Sequence, residues 1–456
     1  MRQELNYDHL EQLVKARDFK ELRPLLASMN EVDVAEFIAM VPEDEQAIVF
    51  RILPKELAAS VFSCLEDSHH QEQLIHALTD QELRAVLEEL FLDDAVDLIE
   101  DMPASVVTRI LSNTDKDTRD TINQLLNYPK DSAGTLMTTE FVGLKLSDTV
   151  TTAFHRIREV GLDSETVYTC YVTKNRTLLG VVTVRKLLLA DEDDNIADLM
   201  ETNLRKVYTH DDKEDVAQLF AKYNFGVVPV VDNEGRLVGI ITVDDIIDVL
   251  EEETTEDIHK MAAMLPSDKP YLRTSVLETC KTRIPWLMLL MLSATVTGWI
   301  ITSFESALAT TTILAAFIPM ISGTGGNSGA QSSVAVIRAL SLGEVTVKNL
   351  GIVIWKEVRV ACLCGLALSI ANYAKLTIVD SMILHNQSVT PMVSLVVCAT
   401  LAFTVLCAKV VGCSMPILAY KVGIDPAVMA APLITTVVDA LSLLIYFGIA
   451  TQLLGL

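Results

Sequence analysis

The sequence predicts a multidomain membrane protein: an α-helical superhelical N domain, an α/β pair of repeated modules, a connecting helix and a five-helix transmembrane domain. Its acidic and apolar residues are segregated. Residues 1–270 hold 54 Asp and Glu against 26 Lys and Arg, whereas residues 271–456 hold only 7 acids and 10 bases. The spacing of apolar residues also changes along the chain, from helical to strand-like and then to long apolar runs.

The first domain, predicted at residues 1–130, has apolar residues at helical spacing with breaks at Pro42, Pro54 and Pro103. The stretch VAEFIAMVP (34–42) is echoed by AVDLIEDMP (95–103). Repeated helical pairs of this kind stack into a short superhelix. An ordinary helical domain is the alternative interpretation. The strong negative charge of this region disfavours binding to nucleic acid and favours cations.

Two similar stretches follow, YTCYVTKNRTLLGVVTVRKLL (168–188) and VVPVVDNEGRLVGIITVDDII (227–247). Each predicts strand, turn, strand with Gly-apolar-apolar-Thr, and then helix. They resemble a tandem pair of CBS modules, expected at residues 131–200 and 201–248. That resemblance implies adenine-nucleotide binding through Thr-x-x-Asp, which the second copy has as Thr242 and Asp245. No P-loop motif is present, so an ATP-driven pump is not predicted.

An acidic connecting helix is predicted at residues 249–270, and the transmembrane domain at 271–456. Five spans are expected there, of which the second (307–339) is interrupted by GTGGNSGAQ. Basic residues cluster in alternate loops, which predicts a cytoplasmic N-terminal part and a C-terminus outside. The charged N-terminus predicts no cleavable signal peptide.

The last span carries a carboxylate, Asp439, in the middle of its apolar run. Pro432, Thr435, Thr436 and Asp439 share one helix face. We expect Pro432 to free carbonyl oxygens on its turn. Oxygen ligands of this kind suit Mg²⁺ and Ca²⁺. A pairing of Asp439 with Lys409 or Lys375 is the alternative.

The glycine-rich stretch is predicted to break its helix, which is tolerated at membrane depth only where the backbone is buried in protein or lines a cavity. Gly325 and Gly326 would permit close backbone approach, while Asn327 and Gln331 would hold water or a carbonyl. All four, together with Pro432 and Thr436 of the last span, are therefore candidates to line a pore.

The CBS pair, TEDI (255–258), GTGGNSGAQ, GIDPA (423–427) and PLITTVVD (432–439), in this order, resemble the MgtE family of magnesium channels over essentially the whole chain. The resemblance implies a homodimer with a central pore and a connecting "plug" helix. Asp439 matches the pore aspartate of the family. Some members have Asn where Ala431 stands here, which leaves ion affinity and selectivity open.

The family senses cytoplasmic Mg²⁺ through acidic clusters, and the resemblance assigns that role to acids in four segments. They are Asp93 and Asp97, Asp245 and Asp248, Glu253, Glu256 and Asp257 of the plug, and Asp425 before the last span. Bound Mg²⁺ would join the N domain, CBS pair and plug into a closed state, and its loss would let the like charges separate.

We therefore predict a homodimeric, Mg²⁺-selective channel or transporter of the bacterial inner (plasma) membrane. It is closed by cytoplasmic Mg²⁺, has ATP as a candidate modulator, and is not an enzyme. One alternative is a broader divalent-cation channel. Another is a membrane-anchored nucleotide or Mg²⁺ sensor, for which the spans serve only as an anchor. The sequence is compatible both with a channel and with a coupled carrier.

Overall fold

The computed structural model describes residues 7–65, 68–100, 102–267, 271–272, 274–429 and 431–455. They belong to two compact units, residues 1–250 and 251–456. The first unit contains a helical domain and two small β-sheets, and the second consists of long helices. The predicted sequence of helical domain, α/β pair and helical C-terminal region is confirmed.

The N domain consists of short helices. Within the described residues these are α1 (Tyr7–Ala16), α2 (Phe19–Leu26), α3 (Glu31–Met40), α4 (Glu43–Arg51), α5 (Lys55–Ser63), α6 (Ser68–Ala77), α7 (Asp80–Leu87), α8 (Leu92–Glu100), α9 (Ala104–Asn113) and α10 (Lys116–Leu125). Helix α3 packs on α5, α5 on α7, and α7 on α9, as expected for stacked helical pairs. Pro42, Pro54 and Pro103 each precede a helix, where the missing N–H costs nothing.

The two repeated modules have the same topology. The first contains β1 (Phe141–Lys145), α11 (Val150–Val160), β2 (Thr166–Lys174), β3 (Thr177–Thr183), α12 (Val184–Leu189) and α13 (Ile196–Leu199). The second contains β4 (Val207–Tyr208), α14 (Lys213–Tyr223), β5 (Val227–Val231), β6 (Leu237–Thr242) and α15 (Val243–Met261). In each sheet the first strand is parallel to the second, and the second is antiparallel to the third.

Each module also pairs with the segment that precedes the other. Thr138 exchanges two backbone hydrogen bonds with Ile240 of β6, and Glu201 exchanges two with Val181 of β3. The glycines of the two Gly-apolar-apolar-Thr motifs make this approach possible. A Cβ on Gly180 would lie 2.7 Å from the Glu201 oxygen, and one on Gly239 would lie 2.7 Å from the Thr138 oxygen. The glycine of the shared motif therefore allows the two modules to pack against each other.

Helix α15 continues without a break from the second module into the acidic connecting segment and ends at Met261. The limits predicted for the five domains remain predictions. The second unit then contains α16 (Val276–Ser303), α17 (Glu305–Thr310), α18 (Ile318–Ser341), α19 (Leu350–Lys375), α20 (Pro391–Lys421) and α21 (Ala431–Leu454). Among the described helices, four are long and apolar enough to span a membrane. They are α16, α20, α21 and the helical segment 347–383, which includes α19. The count of five spans remains a prediction.

The expected break at GTGGNSGAQ is wrong, because α18 runs as a continuous helix through it. The irregular backbone lies earlier, in a 3₁₀ segment at Thr312–Phe317. The glycines instead allow close helix packing, as small residues do in membrane helices. A Cβ on Gly412 of α20 would lie 2.2 Å from the backbone oxygen of Gly329 in α18. The close contact between the backbones of α18 and α20 therefore offsets the free-energy cost of placing glycine inside α18.

We predict that Gly412→Ala destabilises the membrane unit, by roughly 1–3 kcal/mol, because an added methyl group would overlap the α18 backbone. The measurement is the thermal unfolding midpoint of the full chain in mild detergent. The matched control is Gly448→Ala in α21, where a Cβ meets no described atom within 4 Å. Since alanine favours helix over glycine, the control is expected to match or exceed the native stability. Equal midpoints for the two variants would contradict the packing interpretation.

Candidate functional site

The polar stripe of the last membrane helix lies in its first half. Helix α21 begins at Ala431, after a 3₁₀ turn at Pro426–Met429. Pro432 therefore stands in the first turn, where proline interrupts no helical hydrogen bond. The expectation that Pro432 frees a carbonyl inside a helix is wrong for this reason.

The two threonines of the stripe hydrogen-bond to their own helix. The hydroxyl of Thr435 donates to the Ala431 carbonyl at 2.6 Å, and that of Thr436 donates to the Pro432 carbonyl at 3.0 Å. Each hydroxyl oxygen keeps its lone pairs, so either one can still accept from a water molecule or face a cation.

Asp439 lies one turn after Thr435 and is half-buried. The side chain of Ser322 on α18 lies beside its carboxylate. Its Oδ1 atom is buried and has no hydrogen-bond partner within the described part of the chain. A carboxylate at such depth is costly without a partner, so this oxygen is positioned to receive a donor or a cation.

The alternative pairing of Asp439 with a membrane lysine is wrong. Lys375 forms an ion pair with Asp380, with 2.9 Å between Nζ and Oδ2. Lys409 is 6% exposed, and its Nζ lies 3.8 Å from Oε2 of Glu357. Both lysines are therefore neutralised by other acids.

Ser332 of α18 completes the buried ion pair of α19 and α20. It donates to Glu357 Oε2 at 2.6 Å and accepts from Lys409 Nζ at 3.3 Å. The neighbouring Ser333 donates to the Met429 carbonyl at 2.9 Å, just before α21. Two adjacent serines thus connect α18 to three other segments of the membrane unit. The sequence patterns did not identify Glu357 as a functional residue.

The four residues of α18 that are expected to line a pore separate into two sets. Gly325 and Gly326 are buried where α18 packs on α20 and α21. A Cβ on Gly326 would lie 2.7 Å from the Thr435 methyl group. Asn327 and Gln331, by contrast, are exposed and lie one turn apart on the same helix. Their role as a pore wall remains a prediction.

Helix α8 and the start of α15 form an acidic cluster in the first unit. The charges of Asp93 and Asp97 act on Asp245, and those of Asp244 and Asp248 act on Asp94. Two loop acids, Glu140 and Glu165, join them. We call these eight residues the N–CBS acidic cluster. It brings together all four regulatory acids predicted in the first unit.

The pKa values of the cluster reflect burial and mutual repulsion. Burial and the neighbouring acids raise the pKa of Glu165 to about 8 and that of Asp94 to about 6. Burial, with neighbouring carboxylates, also raises the pKa of Asp93 and of Asp245. Ionising the cluster is therefore unfavourable unless a cation balances its charge.

Among the residues that the structure describes, no three His, Cys, Asp or Glu side chains converge as ligands of one bare ion. The donor set nevertheless fits Mg²⁺, which usually keeps several waters and contacts one or two carboxylates. A hydrated ion needs acids that are near one another without touching it directly, and the N–CBS acidic cluster supplies them.

The predicted nucleotide residues are adjacent at the end of β6. The Thr242 hydroxyl donates to Asp245 Oδ2 at 2.8 Å. At the equivalent place in the first module, Thr183 accepts from the backbone N–H of Lys186. Asp245 therefore belongs both to the candidate nucleotide site and to the N–CBS acidic cluster.

The plug acids lie in the second unit together with a base that the sequence analysis had passed over. The Nζ atom of Lys260 lies 2.5 Å from Glu256 Oε1 and 2.6 Å from Asp425 Oδ2. Asp257 is nearby, and its pKa is raised by burial and then by Asp425. Glu253 lies one turn before Asp257 on α15.

Acids that are far apart in sequence were missed because helical spacing identifies only neighbours on one helix. Glu140 and Glu165 stand outside the helices, and the backbone N–H of Glu165 donates to the Glu140 carbonyl at 2.9 Å. Asp94 and Asp244 were adjacent to predicted residues. Lys260 stands one turn after Glu256, and that spacing is a signal that could have found it.

Comparison with known proteins gives matches along the chain. Residues 318–449 match a divalent cation transporter family named MgtE, residues 29–131 match the MgtE intracellular N domain, and residues 133–193 and 196–252 match CBS domains. The magnesium transporter MgtE of Thermus thermophilus is 36% identical over 98% of both chains, and that of Bacillus subtilis is 33% identical over 99% of both.

A solved structure gives the same result for the first part of the chain. The cytosolic domain of the Mg²⁺ channel MgtE in complex with ATP is 36% identical and has a TM-score of 0.51; the match covers 53% of this chain and 99% of that one. The matches span the whole chain at more than 30% identity. This chain belongs to the MgtE family of magnesium transporters.

Proposed function

We propose that this chain conducts hydrated Mg²⁺ across the bacterial plasma membrane as a homodimer, with Asp439 as the ion's point of contact. The observation that carries the proposal is the buried Oδ1 of Asp439, which finds no hydrogen-bond partner within the described residues. The membrane lysines that would neutralise it are paired elsewhere. The relatives' names, magnesium transporter MgtE, support Mg²⁺ as the ion.

The number of ligands supports a dimer. Asp439 is the single acid of α21, whereas two carboxylates would balance the charge of a hydrated divalent ion, which usually contacts one or two of them. Asn327 and Gln331 are exposed on α18, which packs directly on α21. Exposed amides are unfavourable against lipid, so this face of α18 fits a second subunit or the water of a pore.

In this proposal the glycines act indirectly. Gly326 lets α18 approach Thr435, and Gly325 lies against Val438 and Ser442 of α21. This close contact holds Ser322 next to Asp439 and fixes the orientation of the carboxylate. Ala431, at the start of α21, carries no polar side chain, so selectivity rests on the carboxylate, the threonine oxygens and the size of the hydrated ion.

The regulatory part of the proposal assigns cytoplasmic Mg²⁺ to the N–CBS acidic cluster. Helix α8 belongs to the N domain and α15 to the second CBS module. Burial is the larger cause of the raised pKa of Glu165 and Asp94, and a cation between the two helices would remove the repulsion that adds to it. The ion then stabilises the compact arrangement of these two domains. The gain in free energy equals the difference between the ion's binding free energies for the compact and the separated arrangements.

ATP is a further candidate ligand of the first unit. A relative's cytosolic domain was solved in complex with ATP, and Thr242 and Asp245 have the residue types expected at a ribose. Because Asp245 also faces Asp93 and Asp97, nucleotide and Mg²⁺ are expected to influence each other's binding.

We predict that Asp439→Asn lowers Mg²⁺ influx into proteoliposomes by about 10- to 100-fold. Loss of a charged contact is worth roughly 1.5–3 kcal/mol, and each 1.4 kcal/mol is about tenfold. The matched control is Glu344→Gln, an exposed carboxylate in the loop after α18, which is expected to conduct normally.

Equal influx through Asp439→Asn and native protein would contradict Asp439 as the contact point. Absence of influx through correctly folded native protein at low internal Mg²⁺ would favour the alternative of a membrane-anchored sensor. Influx of Mn²⁺ or Ca²⁺ as fast as that of Mg²⁺ would favour the broader divalent-cation channel.

We also predict a pH dependence of stability from Glu165. Its pKa is raised from 4.5 to about 8 in the folded state, so the folded protein binds this proton more tightly than the unfolded chain. The free energy of unfolding in chelator should therefore fall as pH rises from about 4.5 to about 8. Added Mg²⁺, which needs ionised carboxylates, should stabilise the protein more at pH 8 than at pH 6.

The measurement is scanning calorimetry of the full chain at both pH values, with and without Mg²⁺. Glu165→Gln should reduce the fall with pH and weaken the effect of Mg²⁺, while the exposed Glu192→Gln serves as control. A native stability that rises with pH over this range in chelator would contradict the assignment.

A further inference from the structure

Lys260 joins the end of α15 to the start of the last membrane helix. Its ammonium group contacts Glu256 Oε1 at 2.5 Å and Asp425 Oδ2 at 2.6 Å. Glu256 lies one turn earlier on α15, whereas Asp425 is 165 residues away in sequence. The second oxygen of Asp425, Oδ1, accepts from the backbone N–H of Ala427 at 2.8 Å. Asp425 is thus fixed by the 3₁₀ turn that leads into α21.

Apolar packing and a backbone hydrogen bond hold the same region in place. Met261 packs against Ile337 of α18 and Ala427 of the 3₁₀ turn. The N–H of Leu265 donates to the carbonyl of Thr282 in α16 at 2.9 Å. The position of Lys260 therefore results from packing on both sides of it.

The ammonium occupies the place between two carboxylates that sequence analysis had assigned to Mg²⁺. Both oxygens, Glu256 Oε1 and Asp425 Oδ2, are already within hydrogen-bond distance of one cation. A hydrated Mg²⁺ is much larger than an ammonium group because it keeps its water shell. Ammonium and hydrated ion therefore exclude each other between these two acids.

We propose that Lys260 is a built-in cation that holds the end of α15 against the start of α21 without Mg²⁺. The regulatory meaning rests on the proposed function: Mg²⁺ dependence then lies chiefly with the N–CBS acidic cluster, while Glu256, Lys260 and Asp425 form a clasp that does not need Mg²⁺. Asp257, the other nearby acid, keeps the net charge of this region negative.

The strength of the clasp comes from its network and its support. The side chains of Lys260, Glu256 and Asp425 are 24%, 34% and 36% exposed. Isolated pairs of such exposure contribute about 1 kcal/mol at most. Here one ammonium serves two carboxylates, and the adjacent Met261 is packed. Removal of the ammonium should shift the equilibrium of this contact by about fivefold, which corresponds to ~1 kcal/mol.

The test is hydrogen exchange of residues 256–265 in the full-length protein, measured first in chelator and then with Mg²⁺. In chelator, Lys260→Met should exchange about fivefold faster than native protein. Lys260→Arg, which keeps the charge, should remain close to native, and the exposed Lys421→Met serves as control. With Mg²⁺, protection should return in Lys260→Met, because the ion can now bind between Glu256 and Asp425.

Native exchange that is slow only in Mg²⁺ would overturn the proposal, since the ion rather than the ammonium would then hold the contact. Equal exchange of Lys260→Met and native protein in chelator would overturn it as well. Hydrogen exchange does not depend on transport. The Asp439 proposal is tested by Mg²⁺ influx, so the two proposals can fail independently of each other.

Discussion

A carboxylate inside a membrane helix needs a partner, and the membrane unit depends on how Asp439 meets that need. Insertion of an acid at this depth costs about 3 kcal/mol even on the mildest scales. Lys375 and Lys409, the two candidate lysines for neutralising it, are paired with other acids. Ser322 lies beside the carboxylate, but Oδ1 remains without a hydrogen-bond partner in the described structure. We propose a passing cation as the partner that explains why the acid is present.

The rest of the membrane unit positions this carboxylate. Gly325 and Gly326 bring α18 close to α21, which places Ser322 beside Asp439. Ser332 connects α18 to the buried pair of Glu357 and Lys409. The same electrostatic problem recurs in the first unit, where burial and then neighbouring carboxylates raise the pKa of Asp93 and Glu165, and a bound cation would relieve the repulsion.

The sequence predicted those features that depend on local patterns. Helical spacing identified the polar stripe of α21, and the repeated Gly-apolar-apolar-Thr motif identified the two modules. It failed for α18, because glycine has a low intrinsic helix propensity and close packing against Gly412 overrides it. Glu165 and Lys260 were missed, since tertiary folding rather than spacing brings them to Asp94 and Asp425.

The central claim, that Asp439 holds Mg²⁺ with its water shell intact, is tested most directly by hexaamminecobalt(III). This ion has six inert ligands and resembles hydrated Mg²⁺ in shape, but it cannot shed its shell. The measurement is Mg²⁺ influx through native protein in proteoliposomes with hexaamminecobalt added on the side from which Mg²⁺ enters. The account predicts strong block that competes with Mg²⁺. Unchanged influx in large excess of the complex would mean that a bare ion binds here, and would contradict the account.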